Sequence, residues 1–459
     1  MGDNACAQEP WSTYRGNPQR TGNTDGIAGP TAPQLLWAWR SKEHFIAAPV
    51  PQGDRLYVSG LGAFNVAHFT YLNTDPKASQ RVLWTKSTPY LKLPTVSSPA
   101  LAGELLVFGD GMHQTDGAWL HCLQTKDGFP IWRLPVPGDL VHLEGSPTIA
   151  RGKVYIGGGA AGVLCVDIQR VTLDGKEMEL PAIQKLLAQQ WRELQAKYEE
   201  QKKKDPDFAV PPSEDQLPHP HPKRLWQQGA GKWHVDAPVA VTGNSVLVGS
   251  SFLDKEQAGE RALYCLDANT GAVRWRASLA FNPWGGPSVQ GNVIVVGGST
   301  IGYYPKLLKG AQGQVAAFDL ATGKEIWSTK LKGGVVSCVA LADGAAIATA
   351  TDGRVRAFDL QTGQRRWIYE AGTPFFAPPA VVQGTVYAGD LRGMVHAINL
   401  ASGQARWRFD IAQHPGTQAP GMIYGGPVVH GGRLYVATCN LEGAAAGQPT
   451  VVLCLGDME

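Results

Sequence analysis

The stretch "VRAFDLQTGQRRW" (355–367) places Asp359 eight residues before Trp367, with a Thr-Gly turn between them. Upstream, "VAAFDLATGKEIW" (315–327) has the same pattern, and "VHAINLASGQARW" (395–407) carries it again downstream. Gly323 and Gly363 can take the positive φ of a tight turn, and Asp319 and Asp359 can accept backbone N–H bonds there. Each Trp offers its neighbours a large apolar face and an N–H that needs a partner. A cofactor cage would need its aromatic rings to converge once, at one axis. One such unit in every repeat predicts a structural brace instead.

Aligned on that Trp, the chain gives Trp84, Trp132, Trp226, Trp275, Trp327, Trp367 and Trp407, at spacings of 48, 94, 49, 52, 40 and 40 residues. The spacing of 94 is one repeat with an insertion. Each unit begins with small residues and Pro, as in "GGPSVQGNVIVVGG" (285–298) and "GGPVVHGGRLYVAT" (425–438), and runs through two apolar strands before the Asp-to-Trp strand pair. Four strands every 40–50 residues is the arithmetic of propeller blades. The last unit lacks a fourth strand and its Trp, while "PQLLWAWR" (33–40) has a Trp-bearing strand and no blade. Placing Trp37 in that gap removes the exposed edges of an open ring. The prediction is therefore an all-β, eight-bladed β-propeller of four-stranded blades over 33–459, its last blade closed by the N-terminal strand. Residues 1–32 precede it as an extension, and a helical and Pro-rich insertion occupies 180–222 of blade 3.

Composition agrees with many short strands and tight turns: 459 residues contain 55 Gly, 32 Pro and 14 Trp. A formal net charge of +2 with mixed signs argues for no nucleic-acid partner. No apolar run reaches a membrane span. The start, "MGDNACAQEPW", has no hydrophobic targeting region. That fits a mature form of a periplasmic or otherwise exported protein, the reading preferred here, and also a cytoplasmic one.

Four of the seven cysteines, Cys122, Cys165, Cys265 and Cys454, occupy the third-strand position held by Ala317, Ala357 and Ala397 in sister units. A small buried hydrophobe suits that place. Cys338 and Cys439 fall in other strands and Cys6 in the tail, so no disulfide framework is predicted.

In the insertion, Ile183, Leu187, Trp191, Leu194 and Tyr198 form one helical stripe. It either packs on the propeller's own underside or docks a protein partner, and its five residues are the partner-binding candidates. The Pro-rich return (205–222) is predicted to be extended or flexible.

The residues before each first strand should ring the mouth of the central channel. They include His44, His142, Glu144, Trp233, His234, Asp236, Trp284, Phe375, Phe376 and Tyr424. His142/Glu144 and His234/Asp236 come from adjacent blades, and alternate residues of a strand point the same way. Such a set could be a solvated polar lining, hold a small ligand or peptide, or serve metal or acid–base chemistry. Ligand binding at His142, Glu144, Trp233, His234, Asp236, Trp284, Phe376 and Tyr424 is the expectation adopted, with no metal and no catalytic residue assigned. Among the surface loops, 109–117, 249–260 and 297–313 ("IGYYPKLLKG" included) are the longer ones.

The Ala-x-Asp-x-x-Thr-Gly-x-x-x-Trp unit, matched at 317–327, 357–367 and 397–407 and more loosely at 265–275 and 122–132, resembles the pyrroloquinoline-quinone-type propeller family. "WSTYRGNPQRTG" (11–22) is similar to the lead-in segment of exported bacterial members. The family's quinone-dependent dehydrogenases would imply a vicinal Cys-Cys disulfide, Ca²⁺ and a catalytic Asp. This chain has no Cys-Cys pair. It therefore resembles more the non-catalytic members, such as the propeller lipoprotein of the outer-membrane barrel-assembly machinery. The function expected is non-catalytic binding or scaffolding of protein partners, without cofactor. The alternative is a quinoprotein-like oxidoreductase using pyrroloquinoline quinone (PQQ) and calcium at a degenerate mouth site.

Overall fold

In the computed structural model, residues 11–113 and 115–458 are described. Cys6 lies outside them. Eight antiparallel sheets follow one another along the chain, at 50–86, 100–136, 148–228, 240–278, 287–331, 340–370, 380–410 and 428–456. The eighth takes its outermost strand, Gln34–Ser41, from the chain's beginning, paired with Thr450–Gly456. Eight blades and this closure are as the Trp spacing predicts.

In seven blades the Trp pairs across the outer two strands with a small residue: Cys122, Cys165, Cys265, Ala317, Ala357, Ala397 or Cys454. A bulky side chain there would lift the indole off its seat. The indole N–H then crosses to the next blade. Trp275 donates to the Leu320 carbonyl at 3.0 Å, Trp327 to Leu360 at 3.0 Å and Trp367 to Leu400 at 2.7 Å. Trp37, in the closing strand, donates to Thr74 of blade 1. The turn glycine of the next blade lies under the same ring. A Cβ on Gly363 would stand 2.5 Å from Trp327, and one on Gly323 equally close to Trp275.

Blade 1 is the exception. Its Trp pairs with Tyr71, which stacks on Tyr57 at 4.2 Å, and the Tyr57 hydroxyl takes the Thr125 carbonyl equivalent to those acceptors. The Trp84 N–H has no partner. Trp84→Phe is accordingly expected to cost about 1 kcal/mol less than Trp367→Phe, the net worth of one neutral hydrogen bond. Urea midpoints of the two variants check this.

The insertion begins with a strand absent from the sequence reading. Lys176–Glu179 pairs with the far end of an elongated third strand, Val163–Leu173, and makes blade 3 five-stranded. The helix Leu180–Lys204 follows, with Pro in its first turn and three lysines in its last. Ile183 and Leu187 are buried in the core shared by blades 2 and 3. Trp191 and Leu194 are half-buried against it, with Trp191 edge-on to Phe129, and Tyr198 lies farther along the helix. Ile183 and Leu187 thus serve the propeller itself and are not free for a partner, because the core takes up the apolar face where the helix starts. The Pro-rich return is extended but not loose. Glu214 pairs with Lys86, Asp215 with Arg133 and Lys92, and Leu217 is buried. Among the described residues no helix is long and apolar enough to cross a membrane.

Residues 11–23 occupy the ring's axis, and the chain then runs outward to the closing strand. Backbone N–H groups of Leu101, Ile149, Leu341, Val381 and Val429, each on an innermost strand, donate to carbonyls of Trp11, Ser12, Gln19, Thr21 and Gly22. Arg15 and Arg20 are fully buried. Arg15 donates to the carbonyls of Pro379 and Pro427, and Arg20 to those of Val239, Pro287 and Tyr14. The Pro30 carbonyl accepts the Trp407 N–H. The extension therefore plugs the channel from within and joins seven of the eight blades.

Candidate functional site

With the channel plugged, its loop-face end becomes a blind cavity of about 330 Å³. Tyr14 of the plug forms part of its lining. The other lining residues used below are His113, Glu144, Asp236, Trp284, Tyr303, Tyr304, Tyr424, Leu441 and Glu442. Two kinds of segment supply them. Connectors between blades carry Glu144, Asp236, Trp284 and Tyr424, while loops between second and third strands carry His113, Tyr303, Tyr304, Leu441 and Glu442.

At one wall, three imidazoles gather on one carboxylate. His142 Nε2 lies 2.7 Å from Asp236 Oδ1, and His234 Nε2 lies 2.9 Å from the same oxygen. Only the first contact has hydrogen-bond geometry. The His142 and His234 ring centres are 5.2 Å apart, and that of His113 is 5.4 Å from the first and 5.9 Å from the second. His142 and His234 are completely buried. Glycines make the room: a Cβ on Gly259 would lie 2.7 Å from the His234 Cβ, and one on Gly159 would lie 3.2 Å from the His142 ring. Paired backbone bonds between Gly159 and Val235 fix the connector that carries His234 and Asp236.

Burial would raise the Asp236 carboxyl, but His234 and His142 outweigh it and hold the group well below the ordinary carboxylate range. At Glu144 burial outweighs the pull of His142 and the His113 backbone N–H and pushes the carboxyl up to about 7. Burial also lowers His113.

Of the eight mouth candidates, Glu144, Asp236, Trp284 and Tyr424 line the cavity, and His142 and His234 stand directly behind Asp236. Two do not belong. Trp233 points the other way, buried between blades and stacked on Tyr264 at 4.1 Å. The period of two that sends His234 and Asp236 to one side sends Trp233 and Val235 to the other. Phe376 is buried behind Tyr303 and Tyr424, and its ring supports theirs. His44, from the same alignment, accepts the Asn440 N–H at the junction of blades 8 and 1, and Phe375 packs in the blade core beside His396. The sequence reading missed Tyr14, His113, Tyr303, Tyr304 and Glu442. His113 and the two tyrosines lie in loops that length alone marks (109–117 and 297–313), but no repeat register says which of their residues face inward.

Two further His–Asp pairs are of another kind. His121 with Asp110, at 2.8 Å, and His396 with Asp390, at 3.1 Å, each join two strands of a single blade, one histidine to one carboxylate.

A family model described as outer membrane protein assembly factor BamB matches residues 31–191, 220–304 and 283–451. No curated protein matches the sequence significantly. Among solved structures, BamB from Moraxella catarrhalis superposes with a TM-score of 0.59 at 16% identity, covering 93% of this chain and 98% of that one. A europium-containing methanol dehydrogenase gives 0.61 at 13% identity, with 98% of each chain covered. A quinohemoprotein alcohol dehydrogenase from Comamonas testosteroni gives 0.62 at 14% identity, covering 99% of this chain and 82% of its own. At these identities the likeness is one of fold.

Proposed function

The chain belongs to the family of outer membrane protein assembly factor BamB, and on that premise we propose that it is a non-catalytic binding propeller. It acts outside the cytoplasm, holding a protein partner in the assembly of outer-membrane proteins. The observation that carries this reading is an apolar rim on the loop face. Phe64, Val66, Tyr304, Leu307 and Leu441 are all exposed there, on loops between second and third strands of blades 1, 5 and 8. Phe64 sits at φ 58 and is wholly exposed. Exposed apolar side chains around a cavity with aromatic walls mark a surface that closes on another chain. The cavity would take a side chain or short segment of that partner.

The quinone alternative fits the lining poorly. PQQ is a tricarboxylate, and the cavity presents Glu144, Asp236 and Glu442 with no lysine or arginine among the described lining residues. The like charges would repel it, and Asp236 is already committed to two histidines.

The test is photocrosslinking in the native cell envelope, with the crosslinker at position 64 or 304 and, as control, at exposed Phe208 on the insertion. Discrete crosslinks to an outer-membrane assembly component from 64 and 304, and not from 208, are expected. Phe64→Ser with Leu441→Ser should leave the fold intact and weaken that contact about 10-fold or more, as losing central apolar anchors does. Equal or absent crosslinking at all three positions overturns the reading. So does a melting shift with dye reduction when PQQ and Ca²⁺ are added.

A further inference from the structure

We propose that His113, His142, His234 and Asp236 form a binding site for one divalent transition-metal ion of the zinc type. One ligand atom from each of the four residues lies within 4.8 Å of all the others. Three imidazoles holding one tetrahedral ion through a nitrogen at about 2.0–2.1 Å would have ring centres roughly 5 Å apart. The three separations of 5.2, 5.4 and 5.9 Å fall close to that value. The four residues come from three separate loops of blades 2, 3 and 4, so no single turn or strand pairing accounts for their meeting.

A second, independent observation is the unmet bonding capacity of His234. Its Nε2, buried and 2.9 Å from Asp236 Oδ1, has no hydrogen-bond partner. A buried polar atom left in that state is destabilising. A single carboxylate oxygen approached by two imidazoles leaves one of them poorly served. A cation at the meeting point would take a lone pair from each ring and a charge from Asp236. The in-blade pairs differ: His396 has both ring nitrogens partnered, by Asp390 and the Tyr369 hydroxyl, and the ring nitrogen by which His121 faces Asp110 has that carboxylate to itself.

The donor set also says which ion. Three nitrogens and one oxygen suit zinc and its neighbours, whereas calcium and magnesium require oxygen. His113 and Asp236 line the cavity while His142 and His234 lie behind, so the ion would enter from the cavity and stop at its wall. Bound there, it would tie the loops of blades 2, 3 and 4 together beneath the rim.

The metal alone is the probe. Full-length protein, stripped with chelator, is titrated calorimetrically with Zn²⁺. One equivalent is expected to bind with a dissociation constant of about 1 μM or lower. Co²⁺ in its place should give the visible absorption of a tetrahedral site. His142 and His234 are too buried for their removal to be read cleanly, so His113→Ala, on a half-exposed loop, is the decisive variant. It should keep the parent's circular dichroism and weaken Zn²⁺ about 100-fold or more, beyond the ~10–100-fold typical of losing an outer-shell partner. Asp236→Asn should act in the same direction. His219→Ala with His221→Ala, in the Pro-rich return, should change nothing. Absence of saturable binding overturns the site. So does binding that survives His113→Ala and Asp236→Asn, or that the His219/His221 pair removes.

Discussion

Replacing Arg20 by alanine is expected to lower the stability of the folded chain by about 3–5 kcal/mol, through buried carbonyls that lose a charged donor and a cavity where the side chain stood. The guanidinium reaches blades 4 and 5 and the plug at once, through Val239 at 2.6 Å, Pro287 at 2.9 Å and Tyr14 at 3.1 Å. Its own desolvation is unfavourable, which is why its pKa is lowered, and no ion pair offsets it among the described residues. That limits the net worth of the arginine. It does not limit the cost of removing it, because the Pro287 and Tyr14 carbonyls at the dry axis then lose this donor at about 1–3 kcal/mol each before relaxation, while Val239 keeps only the Thr148 hydroxyl. Arg20→Lys should recover little, since an ammonium is a point charge and cannot serve carbonyls in three directions. Arg20→Met should do somewhat better than alanine by filling the space. Urea unfolding of the three variants checks the order. A loss under about 1 kcal/mol for alanine would mean that the plug is dispensable and the ring closes without it.

That prediction could not have been made from the sequence, and the reason is instructive. The blades are legible because in seven of the eight the Trp pairs with an Ala or Cys on the neighbouring strand, so the contact repeats with the chain's period. Trp37 was placed in the eighth blade by the same logic. "WSTYRGNPQRTG" has no period, and its partners are carbonyls of Val239, Pro287, Pro379 and Pro427, which come to one axis only when the ring is closed. The site was legible in the same proportion. His142, His234 and Asp236 sit at repeated places before first strands, so alignment brought them together. His113 sits in an irregular loop, and only coordinates place it against them. Trp233 was misassigned where alternation along a strand, applied residue by residue, would have turned it away from the channel.

The second large effect falls on the turn of the repeat. Gly363→Ala is expected to cost about 2–5 kcal/mol, from a left-handed backbone of about 1–2 kcal/mol and overpacking of about 1–3 kcal/mol. Gly363 has φ +70, and its added Cβ would meet the Trp327 ring at 2.5 Å. Gly291 separates the two causes. It has φ +58 with nothing within 4 Å of an added Cβ, so Gly291→Ala should cost only the backbone part, about 1–2 kcal/mol. Trp327→Ala alone should cost about 3–5 kcal/mol, as for other large core side chains. Its N–H bond to Leu360 and its seat on the next blade go together. In that background the ring is gone, and Gly363→Ala should fall to the cost seen at Gly291. The coupling between the two substitutions, read from a double-mutant cycle of urea midpoints, should therefore be about 1–3 kcal/mol. Strict additivity would mean that the indole and the glycine merely coexist, each serving its own blade. A coupling of that size makes the Thr-Gly turn and the Trp of the preceding repeat one joint, the contact by which each blade holds the next.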